Sequence, residues 1–305
     1  MDHRIKLRHL EAFVAIARAK SLKRAAEQLS LTQPAISKTL KDLEGIVGAT
    51  LMERGRAGVV MTSEGDVFLQ FATQSLSALQ NGLTSIASLK EGAPATLSIG
   101  ALPSVASALL PKAVQQFQPK APSTVVQLHE GPHDHLTERL RAGMLDLVIG
   151  RLGRPETMAG LSFTQLYSER VVVVVAPDHP LAGATQLEQL TGYPIIYPPQ
   201  SSAIRPLVAR QMIATGLPLY AQRIESASGE FGRAMALGKA RAVWFISHGV
   251  VASDLASGRL KALDIDMQAT VGPVGIMARS EEAPTPNAHL FRQTLLAVVS
   301  EQGGA

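Results

Sequence analysis

The chain has 305 residues, 46% of them hydrophobic, with no cysteine and a net charge of +4. That apolar content is enough for two or three cores, and the missing cysteines exclude disulfides, thiolate catalysis and cysteine metal sites. No apolar run reaches the roughly eighteen residues that a membrane span needs, and the opening MDHRIKLRHL lacks the apolar stretch of a signal peptide, so a cytoplasmic protein with no membrane partner is expected.

The charge is unevenly spread. Residues 1–62 hold 11 Lys and Arg against 6 Asp and Glu, leaving 18 and 19 for the rest of the chain. A basic head on a neutral body is the electrostatic footprint of a small DNA-binding domain. Leu7, Leu10, Phe13, Val14 and Ala17 form a first helical stripe. Residues 21–47 then read as two short helices joined by a tight turn. Ser21 is a cap for the first, which buries Ala25, Ala26 and Leu29. The second follows the cap Thr32, has Pro34 in its first turn, and turns Ile36, Leu40, Leu43 and Val47 inward. Left outside are Gln33, Ser37 and Lys41, flanked by Pro34 and Lys38. An amide, a hydroxyl and flexible cations are the groups that base edges and phosphates select. On a lone amphipathic helix they would be an ordinary solvated face; the three-helix context favours DNA. Arg54 and Arg56, with Val59, Val60 and Met61 broken by Gly55 and Gly58, follow as a β-wing.

Residues 62–91 predict one long helix, capped by Thr62, with Glu64 suited to its N-terminus and Phe68, Phe71, Leu79, Leu83, Ile86 and Leu89 in a three-four repeat. Little sequence is available to cover that row, so a second copy of the helix is the expected partner. Gly92, Ala93 and Pro94 mark a hinge.

Beyond the hinge, short apolar strands alternate with amphipathic helices. Strands are expected at 96–100, 124–129, 146–149, 170–176, 194–197, 222–225, 242–246 and 275–279. Helices are expected at 104–117, 133–142, around Leu187, and at 204–215, 230–237 and 288–299. This pattern predicts mostly parallel sheets covered by helices, in two lobes between which the chain crosses twice. Ligands in such folds bind beyond the carboxyl ends of the strands.

The segments Leu7-Arg8-His9-Leu10 with Phe13, Ser21 with Ala25-Ala26, Thr32-Gln33-Pro34-Ala35-Ile36-Ser37-Lys38, Leu43-Glu44, Leu51-Met52-Glu53-Arg54, and Thr62 with Gly65 together resemble the LysR-type transcriptional regulators. Met52 stands where that family usually has Phe, and Ser63 where it often has Pro. The resemblance implies an N-terminal winged helix-turn-helix (1–62), a linker and dimerisation helix (63–92), and a two-lobed α/β effector-binding domain of periplasmic-binding-protein type (93–305). Lobe I would take about 93–164 and 268–305, and lobe II about 165–267. It further implies promoter DNA, RNA polymerase, a small-molecule effector and further copies of the chain, as homodimer or homotetramer, as partners. No cofactor, metal or catalytic role is implied. The chain has no nucleophile elbow, credible metal set or Gly-rich phosphate loop that would favour an enzyme.

Ser104 follows Gly100-Ala101-Leu102-Pro103 at a strand-to-helix turn, Ser201 and Ser202 hold the equivalent turn of the second lobe beside Arg205, and Arg151 ends a strand at the cleft. Hydroxyls and helix N-termini suit an anion, although simple N-capping would use the same geometry. An arginine facing a cleft needs a carboxylate partner. In benzoate- and muconate-responsive relatives the matching positions contact effector carboxylates; Pro132 replaces a threonine there, with His133 as a substitute contact. His129-Glu130-Gly131-Pro132-His133 spells a zinc-protease string, but Gly-Pro inside it breaks the helix that the metal site requires. Residues 197–206, 231–234 and 242–247 resemble the regulators of the protocatechuate (pca) operon, with sugar-responsive regulators as near neighbours. The pca resemblance implies an activator of aromatic catabolism and a polycarboxylate ring-cleavage product, held by Arg151 and Arg205.

Overall fold

The computed structural model describes residues 4–55, 58–91, 94–280 and 282–303, in two compact units that part near residue 94.

In the first unit, capping residues punctuate the helices α1 (Leu7–Ala19), α2 (Leu22–Gln28) and α3 (Gln33–Val47). The Ser21 hydroxyl accepts from the Arg24 amide at 3.4 Å and the Thr32 hydroxyl from the Ala35 amide at 3.3 Å. Phe13, Ile16, Ala25, Ile36 and Leu43 are fully buried between the three helices. Val47, expected inside, is exposed at the last position of α3, and Leu7, at the first position of α1, is exposed as well. The strands β1 (Met52–Gly55) and β2 (Gly58–Met61) form the antiparallel wing. Glu44 ties α3 to it by accepting from the amides of Leu51 at 2.8 Å and Met52 at 3.2 Å. Met52 is buried in the head core despite being smaller than the family's Phe. Thr62 donates to the Thr50 carbonyl at 2.8 Å and accepts from the Gly65 amide at 2.9 Å, which starts α4 (Ser63–Glu91). The first turns of α4 pack on the head, with the Phe68 ring 5.2 Å from that of Phe13. Phe68 therefore leaves the row in which it was expected, and Val67 joins it: Val67, Phe71, Leu79, Leu83 and Ile86 each keep about half their surface or more exposed.

The second unit holds β3 (Thr96–Ala101), α5 (Pro103–Ala108), α6 (Leu110–Phe117), β4 (Val125–Glu130), α7 (His133–Arg141), β5 (Leu147–Arg151) and β6 (Leu161–Glu169) before the first crossing. After it come β7 (Val171–Val175), β8 (Ile195–Tyr197), α8 (Arg205–Ala214), β9 (Arg223–Glu225), α9 (Gly229–Leu237), β10 (Val243–Ser247), α10 (His248–Ala256) and β11 (Lys261–Ala262). The chain returns with β12 (Gly272–Arg279) and closes with α11 (Pro286–Gly303). Two five-stranded sheets result, ordered β4-β3-β5-β12-β6 and β11-β7-β10-β8-β9. The five valines of β7 are all buried, alternate ones feeding the cores on the two faces of the second sheet.

The expectation of mostly parallel sheets is corrected: β12 runs antiparallel to β5 and β6, and β7 antiparallel to β10 and β11. Both β7 and β12 enter their sheets from the crossing, at the end where β3, β5, β8 and β10 finish, so they must run the other way. The lobe boundary expected near 165 moves as well, since β6 stays paired with β12 through Glu169. The expected helix 104–117 breaks at Leu109, where Pro111 in the next turn offers no amide to continue the ladder. At the crossing the Thr270 hydroxyl accepts from the Val171 amide at 2.9 Å, stitching the two connecting strands together. No described helix is long and apolar enough to cross a membrane.

Candidate DNA-binding face and ligand cavity

On α3, Gln33, Pro34, Lys38 and Lys41 are exposed and Ser37 half-buried, opposite the buried Ile36, Leu40 and Leu43. Ser21 and Thr32 sit at the N-termini of α2 and α3 with their oxygens already accepting a backbone amide. Arg54 stands on β1 across from Val59; Arg56 lies outside the described residues. One feature escaped the sequence reading: Arg4, Lys6 and Arg8 line a shallow groove together with Lys41 and Asp42. The signal was present as alternating cations just before α1.

The strand ends of both sheets converge on a cavity of about 180 Å³. Five of the six expected ligand contacts line it: Ser104, His133, Arg151, Ser201 and Ser202. None of the three serines is a helix cap, since α5 and α8 have Leu102 and Ile204 at their N-caps and no side-chain cap bond. Arg205, the sixth, does not line the cavity. Its Nη1 donates to the Pro198 carbonyl at 2.7 Å and pairs with Glu225 at 3.0 Å, while the guanidinium lies 4.7 Å over the Tyr197 ring.

Arg151 is 4% exposed, at the end of β5. Its Nη1 donates to the Thr270 carbonyl at 3.3 Å, and its Nη2 lies 3.6 Å from Oε2 of Glu169, a buried carboxylate that the sequence reading missed. That separation is an ion pair without a hydrogen bond, and Nε and Nη2 of Arg151 have no hydrogen-bond partner. Burial pulls the guanidinium below its ordinary value and Glu169 opposes that pull; the group remains charged. The other Glu169 oxygen accepts from the Gly249 amide at 2.7 Å, in the first turn of α10. Gly249 has to be a glycine: a Cβ there would stand 2.7 Å from that oxygen and 2.7 Å from the Ser104 carbonyl. Helix α10, also missed, thus brings the second lobe against α5 at the edge of the cavity. His133 is held over Gly153, where a Cβ would meet its ring at 2.2 Å, and its Nδ1 lies 3.5 Å from Asp134. Ser226 and Ser247 are further polar wall residues not read from the sequence.

The family model described as LysR substrate binding domain matches residues 90–300, and that described as bacterial regulatory helix-turn-helix protein, lysR family, matches residues 7–66. The chain is 41% identical over 303 residues to the HTH-type transcriptional regulator PcaQ of Agrobacterium fabrum (strain C58), covering 99% of this chain and 97% of that protein. It is 34% identical over 208 residues to the Hca operon transcriptional activator HcaR of Escherichia coli (strain K12), covering 67% and 69%. Among solved structures it is similar in fold to full-length CbnR complexed with its target DNA, with a TM-score of 0.59 and 22% identity over 96% of this chain and 100% of that one.

Proposed function

The chain belongs to the LysR family of DNA-binding transcriptional regulators, and from that premise we propose that it is a cytoplasmic, homo-oligomeric activator of aromatic-acid (protocatechuate) catabolism genes that answers a carboxylated small molecule. The observation that carries the effector reading is Arg151. Arg151 lines the cavity with two guanidinium nitrogens that lack an acceptor, and a carboxylate is the ligand group that supplies charge-assisted bonds to such a side chain. Likeness to PcaQ and to the activator HcaR supports the pathway and the direction of regulation. The test is a thermal shift of the purified chain against aromatic and ring-opened acids and neutral sugars. A shift with acids supports the reading, and a shift with sugars alone sinks it.

In this reading α3 lies in the major groove with Gln33 and Ser37 toward base edges, Lys38 and Lys41 toward phosphates, and the amide-rich helix starts at Ser21 and Thr32 toward the backbone. Gln33→Ala is expected to lose about 1–3 kcal/mol on the preferred operator with little loss on random DNA, because its amide pairs with a base. Equal losses on both DNAs would remove it from base readout. Lys41→Ala is expected to weaken all sequences alike and to flatten the slope of log affinity against log salt by about 0.9. An unchanged slope in a salt titration would take Lys41 off the backbone.

The exposed row of α4 is the proposed contact with a second copy, which sets two recognition helices over two half-sites; RNA polymerase is the proposed partner of the assembled activator. Leu83→Glu, one charge in the middle of that row, is expected to shift the chain toward monomer in sedimentation equilibrium and to lower operator affinity at least about tenfold. An unchanged oligomer would move the interface elsewhere.

A further inference from the structure

The charge of the cavity wall restricts the effector class beyond the carboxylate reading, on which this step rests. Among the described residues that line the cavity, Arg151 is the one guanidinium, and no lysine joins it. Glu169, with Oε2 3.6 Å from Nη2, already offsets part of its charge. The second arginine that a polyacid would need, Arg205, is held outside by the Pro198 carbonyl, Glu225 and the Tyr197 ring. The remaining titratable side chain in the wall is His133, whose Nδ1 lies 3.5 Å from Asp134. Much of the rest is apolar, with Leu102, Pro132, Ile204, Phe245, Ile246 and Val250 facing the space.

We infer that the effector carries a single carboxylate on an apolar one-ring body, an intact aromatic acid rather than its ring-opened di- or tricarboxylate product. One carboxylate matches the charge that Arg151, partly offset by Glu169, leaves in the wall. A second would lie along a wall that includes Phe245 and Ile246 and holds no further cation among its described residues, so the water it loses there is not repaid. Ring hydroxyls carry no such penalty, because Ser201, Ser202 and Ser226 offer hydroxyls around the same wall. An apolar cavity of about 150 Å³ admits benzene, so a volume of about 180 Å³ gives room for one ring and its acid group.

Isothermal titration of the full-length chain with benzoate, protocatechuate, cis,cis-muconate, 3-carboxy-cis,cis-muconate and galactose tests this. The expected result is that a monoacid binds more tightly than either polyacid, that Arg151→Ala removes that binding, and that Arg205→Lys leaves the Kd within about twofold. A polyacid that binds at least as tightly as both monoacids, or a loss of more than about tenfold in Arg205→Lys, overturns the single-carboxylate inference and leaves the carboxylate reading standing. Binding of galactose alone, or of none of the five, overturns both.

Discussion

Arg151→Ala is expected to abolish the effector response and, separately, to destabilise the ligand-free body by about 3–5 kcal/mol. The two effects have different causes. The loss of stability comes from Glu169, which at 6% exposure would become a buried carboxylate with one hydrogen bond, from the Gly249 amide, and no countercharge. The loss of response comes from the missing guanidinium. Adding Glu169→Gln to the alanine variant removes the stranded charge and is expected to restore much of the melting temperature, but not the ligand-induced shift. In the parent chain a ligand at about a hundred times its Kd adds about 2.7 kcal/mol. If the double variant still shifts with ligand, Arg151 is not the anion anchor. If the single variant melts like the parent, the ion pair with Glu169 contributes nothing to the fold.

The parts of the structure that were legible in the sequence are those set by local chemistry. Ser21 and Thr32 announced helix starts because a cap acts on the amide three residues on. The valine run of β7 announced a strand buried on both faces. What was not legible depends on contacts made across the fold. The sequence leaves Arg205 open to a ligand because its partners sit elsewhere in the chain: Glu225 comes beside Tyr197 only when β8 and β9 pair in parallel, in the register that sets those two residues opposite each other. Glu169 was overlooked for the same reason, since only the pairing of β6 with β12 carries it to the crossing, beside Arg151. Helix α10 escaped because its second residue is Gly249, a poor helix former whose presence is explained by the close approach of Ser104 from the other lobe. Sheet direction is not written in the alternation of strands and helices, which says nothing of where the chain re-enters a sheet, and β7 and β12 both re-enter from the crossing.

Gly65→Ala sets two effects of opposite sign against each other. Helix propensity favours alanine in α4 by about 1 kcal/mol. Sterics oppose it: a Cβ on Gly65 would stand 2.0 Å from the Leu51 carbonyl oxygen and 2.9 Å from the Met61 Cε, and the carbonyl is backbone that no side-chain rotation can move aside. Accommodating the methyl means opening the gap between the wing root and the first turn of α4. That gap is closed by the Thr62 amide donating to the Leu51 carbonyl at 3.1 Å and by the Gly65 amide donating to the Thr62 hydroxyl at 2.9 Å. Overpacking of this kind costs about 3 kcal/mol, so the clash wins. The expected result is a head that melts earlier and binds operator weakly, while the second unit, which holds the cavity, still shifts with effector. Gly45→Ala is the matched control, because nothing lies within 4 Å of a Cβ at that exposed position of α3. There propensity acts alone and the head should gain about 0.5–1 kcal/mol. Calorimetry with and without effector reads both units, and a Gly65→Ala head as stable as the Gly45→Ala head would mean that the wing root yields without cost.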